Sequence, residues 1–303
     1  MRISSSLQAR FAVLAAAAMA AAATGARQSP AVCGDMWPAW SPDGTRVVFV
    51  SDRTGDPEVY VRAVGGGDSR RLTSTPGRDA HPSFSPDGRS IAFQSPREGI
   101  HTNLYLMNAD GSGQRRVTRH EGFAGMPVWS PDGRQLAYQW TPDLKTQKWR
   151  LMLLQVGSAG ARQLTDGTAN DQVINWAPDG KRFIFHSDRT GRNQLYTMTL
   201  DGVVARLTST PSDDRSGTWS ADGQMIAFMS DRESEPAGVF VMNADASAIR
   251  RIGTLAPGHG VPFFSPDGSR VLANPSGPAG QEIVALRLSD GGVERLSECA
   301  PAR

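Results

Sequence analysis

The pentapeptide Trp-Ser-Pro-Asp-Gly at Trp40–Gly44 recurs with small changes at Phe84–Gly88, Trp129–Gly133, Trp176–Gly180, Trp219–Gly223 and Phe264–Gly268. The leading aromatics are 44, 45, 47, 43 and 45 residues apart. A near-constant period of this size signals a solenoid or a propeller, and it constrains the fold more than any other feature of the chain. The first period contains four strand patterns, "PAWSP", "RVVFVSD", "PEVYVRAV" and "SRRLT". Turn residues separate them: Pro42-Asp43-Gly44, Thr54-Gly55-Asp56 and Gly65–Gly67. Four antiparallel strands repeated six times predict an all-β chain, a six-bladed β-propeller of four-stranded antiparallel blades. The expected blades are 35–74, 79–119, 124–166, 171–209, 214–253 and 259–298, within a propeller spanning 27–303. Runs such as "VVFV", "LAY" and "FIF" are apolar at successive positions, as in strands covered on both faces. A β-helix would repeat at shorter periods.

The turn has a local explanation. Proline presets φ for a type I turn, aspartate bonds the turn amides, and glycine takes the left-handed position. Ala221 replaces proline in the fifth copy, and the turn is expected to survive on Asp222-Gly223. The aromatic before each turn belongs to the innermost strand and is expected to pack between blades.

"WSPDGTRVVFVSDRTGDPEVYV", "FSPDGRSIAFQS", "WSPDGRQLAY" and "HSDRTGRNQLYTMTLDG" resemble the Pro-Asp propeller repeats of the TolB family. The resemblance implies a propeller that takes partner segments at its channel. Propellers of this type also occur beside peptidase domains and as sugar-cleaving lyases. TolB proteins carry an α/β domain ahead of the propeller. Here the first blade pattern starts close to the N-terminal leader, so that domain is expected to be absent.

The leader has Arg2 and Arg10 before the apolar run "FAVLAAAAMAAAA" and small residues. That is the layout of a secretory signal peptide over residues 1–26, cut after Ala23 or Ala26. The run is short for a bilayer span, and no later segment is long and apolar enough to be one. The mature chain is expected in the bacterial periplasm or medium, as a monomer. Pro30-Ala31-Val32 before Cys33 makes a poor lipidation signal. A formal charge of +2 gives no footing for nucleic acid.

Export favours pairing of the two cysteines, Cys33 and Cys299. Superposed on an internal loop between blades, they fall at the positions of Gly77 and Thr75, on the two cut ends of one virtual loop. A Cys33–Cys299 disulfide would fasten the ring, with about 5 kcal/mol from chain entropy.

Blade strands alternate in direction, so loops fall on two faces. The Pro-Asp-Gly turns share one, called lower here. The loops from second to third strand and from blade to blade share the upper one. Five residues before each turn aromatic stand Asp35, Asp79, Ala124, Asp171, Asp214 and His259, expected at the upper mouth of the channel. Arginines of the recurring "SDR" (Arg53, Arg189, Arg232), with Arg97 in blade 2, can pair with these carboxylates and lock blades together. Alternatively Asp35, Asp79, Asp171, Asp214 and His259 bind a cationic group of a peptide. A divalent metal would draw on Asp171, Asp214 and His259; no other cofactor is indicated. Blade 3 departs from the pattern and offers a lip of Phe123, Trp140, Lys145, Lys148 and Trp149, suited to a peptide or sugar.

The chain has no G-x-S-x-G, H-E-x-x-H or P-loop, so no catalytic residue is assigned. The expected function is a non-catalytic scaffold that binds a protein or peptide at the channel mouth. The alternative is a metal-assisted lyase or hydrolase acting on oligosaccharide there.

Overall fold

The computed structural model describes residues 34–146, 148–233, 237–253, 260–277 and 280–297. The leader and both cysteines, Cys33 and Cys299, lie outside the described residues, as does His259. The six repeats form six blade sheets in chain order, a β-propeller, with a two-stranded ribbon of Ser276–Gly277 and Gly280–Gln281 inserted in the sixth repeat. Blade 1 comprises Asp35–Trp40, Arg46–Ser51, Glu58–Ala63 and Arg70–Arg71, each antiparallel to the next. Blades 2 to 5 repeat this four-stranded order. In blade 6, Arg270–Ala273, Val284–Arg287 and Val293–Arg295 form the sheet, and Phe264 is bridged to Val271 in the innermost position. As expected from the repeat phase, each described blade is built from its own consecutive segment of chain.

The apolar residues collect into six clusters, and each cluster belongs to two neighbouring blades. The central strands are therefore covered on both sides, which explains their unbroken apolar runs. Phe93, Phe183, Phe185 and Phe228 are 0 % exposed. Burial of one such side chain contributes about 2–3 kcal/mol. The ring closes through Trp40, Phe49 and Tyr60 of blade 1 against Leu272, Ile283 and Leu296 of blade 6.

The recurring turn forms as its residues dictate. In the first copy Gly44 has φ 68°, its N–H donates to Ser41 O at 2.9 Å, and Asp43 accepts from the Ser41 hydroxyl and the Thr45 amide. These bonds hold the Asp43 carboxyl down at about 2, the Ser41 hydroxyl having the largest effect. The Ala221 copy keeps the turn, with Gly223 N donating to Ser220 O at 2.9 Å and φ 71°. The aromatics pack between blades, as expected, and their outer edges line the lower end of the channel.

Each innermost strand of blades 1 to 5 shifts register once, between Met36 and Ala39 in blade 1 and likewise in the others. Near each shift one non-glycine residue takes positive φ: Trp37 (49°), His81 (49°), Met126 (55°), Val173 (51°) and Ser216 (56°). For β-branched Val173 this conformation costs free energy that the surrounding structure must offset. These irregularities shape the channel wall.

Candidate functional site

The four aspartates expected at the mouth lie beneath it. Asp35, Asp79 and Asp214 are 0 % exposed and Asp171 is 1 % exposed. Each is engaged by an arginine: Arg53–Asp35 at 2.8 Å, Arg97–Asp79 at 2.6 Å, Arg189–Asp171 at 2.8 Å and Arg232–Asp214 at 2.8 Å. In each case Nε of the arginine also donates to a serine hydroxyl, Ser51, Ser95, Ser187 or Ser230. The guanidinium lies over two aromatic rings of its blade, as Arg189 does over Phe185 and Tyr196. For Asp79, burial is the dominant influence and pushes its carboxyl up, against Ser95 and Arg97.

The aspartate of each "SDR" has a separate task. Asp52, Asp188 and Asp231 accept the amides of Gly34, Asn170 and Asp213, which lead into the innermost strand. Both functions act inside one blade, tying its innermost strand to its own outer loop. The expectation that these arginines lock neighbouring blades is corrected by this geometry.

Other residues link the blades. The amides of four positive-φ or bulge residues are held from the preceding blade around the ring. Met126 N donates to Gln94 Oε1 at 2.9 Å, Val173 N to Gln139 Oε1 at 3.0 Å, Ser216 N to His186 Nδ1 at 3.3 Å and Trp37 N to Asn274 Oδ1 at 3.2 Å. His186 is 6 % exposed, and burial, then Arg215, pulls its pKa down to about 3. It is therefore neutral and its Nδ1 is free to accept.

Four of the five positive-φ bulge residues face the channel. Trp37, His81, Met126 and Val173, with Val261 and Phe263 of blade 6, wall a small upper cavity of about 40 Å³. The Trp37 and His81 rings stack at 4.2 Å, and the Arg78 guanidinium lies 4.8 Å from the Trp37 ring. Burial, then Arg78, pulls the His81 imidazole down to about 3, so the ring is neutral at neutral pH and Arg78 carries the charge beside the stack. Of these lining residues Trp37, Val173, Val261 and Phe263 were missed from the sequence. The available signal is a proline directly after four of the lining residues, at Pro38, Pro82, Pro127 and Pro262.

The blade 3 lip is assembled in part. Phe123 meets Trp149 edge-on at 5.4 Å. Trp140 donates to Glu121 O at 2.9 Å, lies 5.3 Å from the His120 ring and is covered by Arg150 at 5.3 Å. His120 Nε2 and the Tyr138 hydroxyl are 2.6 Å apart. Trp149 is 9 % exposed and serves as core, while Lys145 and Lys148 are exposed on the loop.

The metal candidates fit poorly. Asp171 and Asp214 each lie against a guanidinium, which a divalent ion would have to displace. Among the described residues no group of three or more His, Cys, Asp or Glu is placed to hold a metal ion.

A family model for the TolB β-propeller domain matches residues 19–139 and 103–206. The chain belongs to the TolB β-propeller family. The Tol-Pal system protein TolB of Bordetella pertussis is 37% identical over 165 residues, which is 54% of this chain and 27% of that protein's length. The structure of a putative TolB from Agrobacterium tumefaciens aligns with a TM-score of 0.67 at 24% identity, covering 77% of this chain and 87% of that one. An oligogalacturonate lyase in complex with manganese aligns with a TM-score of 0.60 at 17% identity, covering 88% and 91%. At these identities the structural likeness is one of fold. One TolB-type propeller therefore serves as a frame for different activities, and function must be argued from the mouth itself.

Proposed function

We propose that this TolB-family propeller is an exported, non-catalytic scaffold that binds a protein or peptide segment at the upper mouth of its channel. The observation that carries the reading is the small apolar recess at the upper mouth, opening beside the Trp37–His81 stack. Its lining is the kind that receives an apolar side chain. Paired aromatics of this kind act as contact anchors. The aspartates beneath it act as braces that hold the wall in place, and the ligand preference moves from cationic groups to apolar ones. The blade 3 lip, with Trp140, Lys145 and Lys148, extends the contact outward. The lyase-like reading would need Asp171 and Asp214 released from their arginines, and so ranks second.

Photo-crosslinking tests the proposal. A benzoylphenylalanine in place of Met126 should yield a discrete protein adduct in cells, lost when Trp37→Ala is added. The same probe at Thr45 on the lower face should not yield that adduct. Identical adducts from both positions, or none from Met126, would remove the upper mouth as the binding site.

A further inference from the structure

Two residues after each turn glycine, the second strand of a blade opens with Arg46, Ser90, Gln135, Arg182, Met225 or Arg270. In three blades this residue is arginine, and its guanidinium lies over the turn aromatic of the next blade. Arg46 covers Phe84 at 5.2 Å, Arg182 covers Trp219 at 5.3 Å and Arg270 covers Trp40 at 5.1 Å. Arg182 also donates through Nε to Oδ2 of Asp179, the aspartate of its own turn, at 2.9 Å.

Blade 2 alone puts a short side chain there, Ser90. The aromatic left uncovered, Trp129 of blade 3, is half-buried, whereas each of the other five turn aromatics is 8 % or 9 % exposed. An open groove of about 490 Å³ lies at this seam. Ser90, Trp129, Asp87, Asp132 and Arg115 line it together with apolar Leu106 and Val156. It shares no lining residue with the upper cavity. Asp87 is the counterpart of Asp179. Its Oδ1 accepts from the Ser85 hydroxyl and the Arg89 amide, and among the described residues no donor engages Oδ2.

The outermost strand of blade 2 tells the same story. The counterparts of Arg115 in blades 1, 3 and 5 each bond a backbone carbonyl of the next blade: Arg70 to Asp110 O at 2.8 Å, Arg162 to Leu200 O at 3.1 Å and Arg250 to Leu288 O at 3.1 Å. Among the described residues Arg115 has no hydrogen bond or ion pair. The seam therefore lacks a guanidinium over its indole and a carbonyl before its arginine. Its lining carries two carboxylates against one cation, since Arg89 and Arg134 of the adjoining turns do not line it. A guanidinium stacked on Trp129 and paired with Asp87 would repeat the contact that Arg182 makes with Trp219 and Asp179. Stacking on an indole and charge-assisted bonds to carboxylate both favour a planar guanidinium. A peptide carrying that arginine also brings the backbone carbonyl that Arg115 lacks.

We propose that the groove between blades 2 and 3, on the lower face, is a docking site for an arginine side chain of a partner protein segment. The guanidinium seats on Trp129 against Asp87 and Asp132, and Arg115 takes a backbone carbonyl of the same segment. The site is separate from the upper mouth, and neither reading depends on the other.

The test titrates the full chain with a blocked glycine pentapeptide carrying arginine at its centre, read by calorimetry and tryptophan fluorescence. The same peptide with lysine or citrulline at the centre, and free arginine, form the other arms. The arginine peptide should saturate, with the lysine peptide about tenfold weaker and the citrulline peptide weaker still. Ser90→Arg supplies the missing cover from the chain itself and should abolish binding, while the backbone bonds of residue 90 to Ser85 are kept. Asp87→Asn keeps an acceptor for Ser85 and the Arg89 amide and should weaken binding about tenfold. Undiminished binding by either folded variant overturns the site. Equal binding of the lysine peptide, or no saturation by the arginine peptide at millimolar concentration, overturns the guanidinium as its occupant. Free arginine binding as tightly as the peptide overturns a protein segment as the partner.

Discussion

In blade 4 the innermost strand opens with Asp171, buried and held by Arg189, with Ser187 steadying the arginine and Asp188 tying down the entering loop. In blade 3 the same four positions read Ala124, Trp140, Thr141 and Pro142. The charge and its countercharge are gone together, so neither is stranded. Trp140 takes over the tether, donating its indole N–H to Glu121 O in the entering loop. The pair of blades shows that the brace is needed while its ionic character is not. A buried ion pair is costly to break by halves and often replaceable as a whole.

Putting an acid into blade 3 should have the largest effect. Ala124→Asp places a carboxyl at a fully buried position in the blade that lacks the brace arginine, and should cost about 3–5 kcal/mol in urea unfolding. Replacing all four blade 3 positions by their blade 4 counterparts should recover much of that loss. A mild single variant would show that the site is open to solvent. Next comes Arg189→Ala, which strands Asp171. Arg189 is 29% exposed, so the cost should be about 2–3 kcal/mol, and Asp171→Ala/Arg189→Ala should cost clearly less. Additive single-variant costs would contradict the comparison.

Acid separates the same two blades. At the interblade latch blade 4 offers His186 where blade 3 offers Gln139. His186 has its pKa lowered to about 3 in the fold, from 6.5. Below 6.5 the unfolded chain binds the proton first, so stability present at neutral pH falls as pH drops towards 3. The slope from this residue is about 1.4 kcal/mol per pH unit. His81 adds loss in the same direction at the partly exposed mouth. His186→Gln should keep the Ser216 bond and remove the larger share of the slope; an unchanged pH profile would place the acid sensitivity elsewhere. The smallest expected effect is Tyr138→Phe, which gives blade 3 the ring of Phe185. Loss of the His120 bond should cost about 1 kcal/mol, seen as a modest shift in the unfolding midpoint.

The blade count, strand order and turn chemistry were all legible from the repeat, because local turn residues and strand patterns agree in every copy. Positions around the mouth were legible only as a list. Counting back from Trp176 correctly found Asp171 at the strand start but could not tell a buried acid from an exposed one. Solvation depends on Arg189, Ser187, Phe185 and Tyr196 converging, and none of these is adjacent in sequence. The bulge that turns Val173 into the channel is a register effect, invisible to a strict alternation of faces. In blades 1 to 3 the following prolines, Pro38, Pro82 and Pro127, were the available trace of the bulge; Val173 is followed by Ile174 and carries none.

Among the described residues every apolar cluster joins two blades, and none belongs to a single blade. The flank formed by Trp40, Phe49 and Tyr60 finds its cover only in Leu272, Ile283 and Leu296. A ribosome making this chain produces the greasy side first and its lid last. Until blade 6 emerges the growing protein presents a sticky edge, and any chaperone that handles it must keep that edge from meeting another copy.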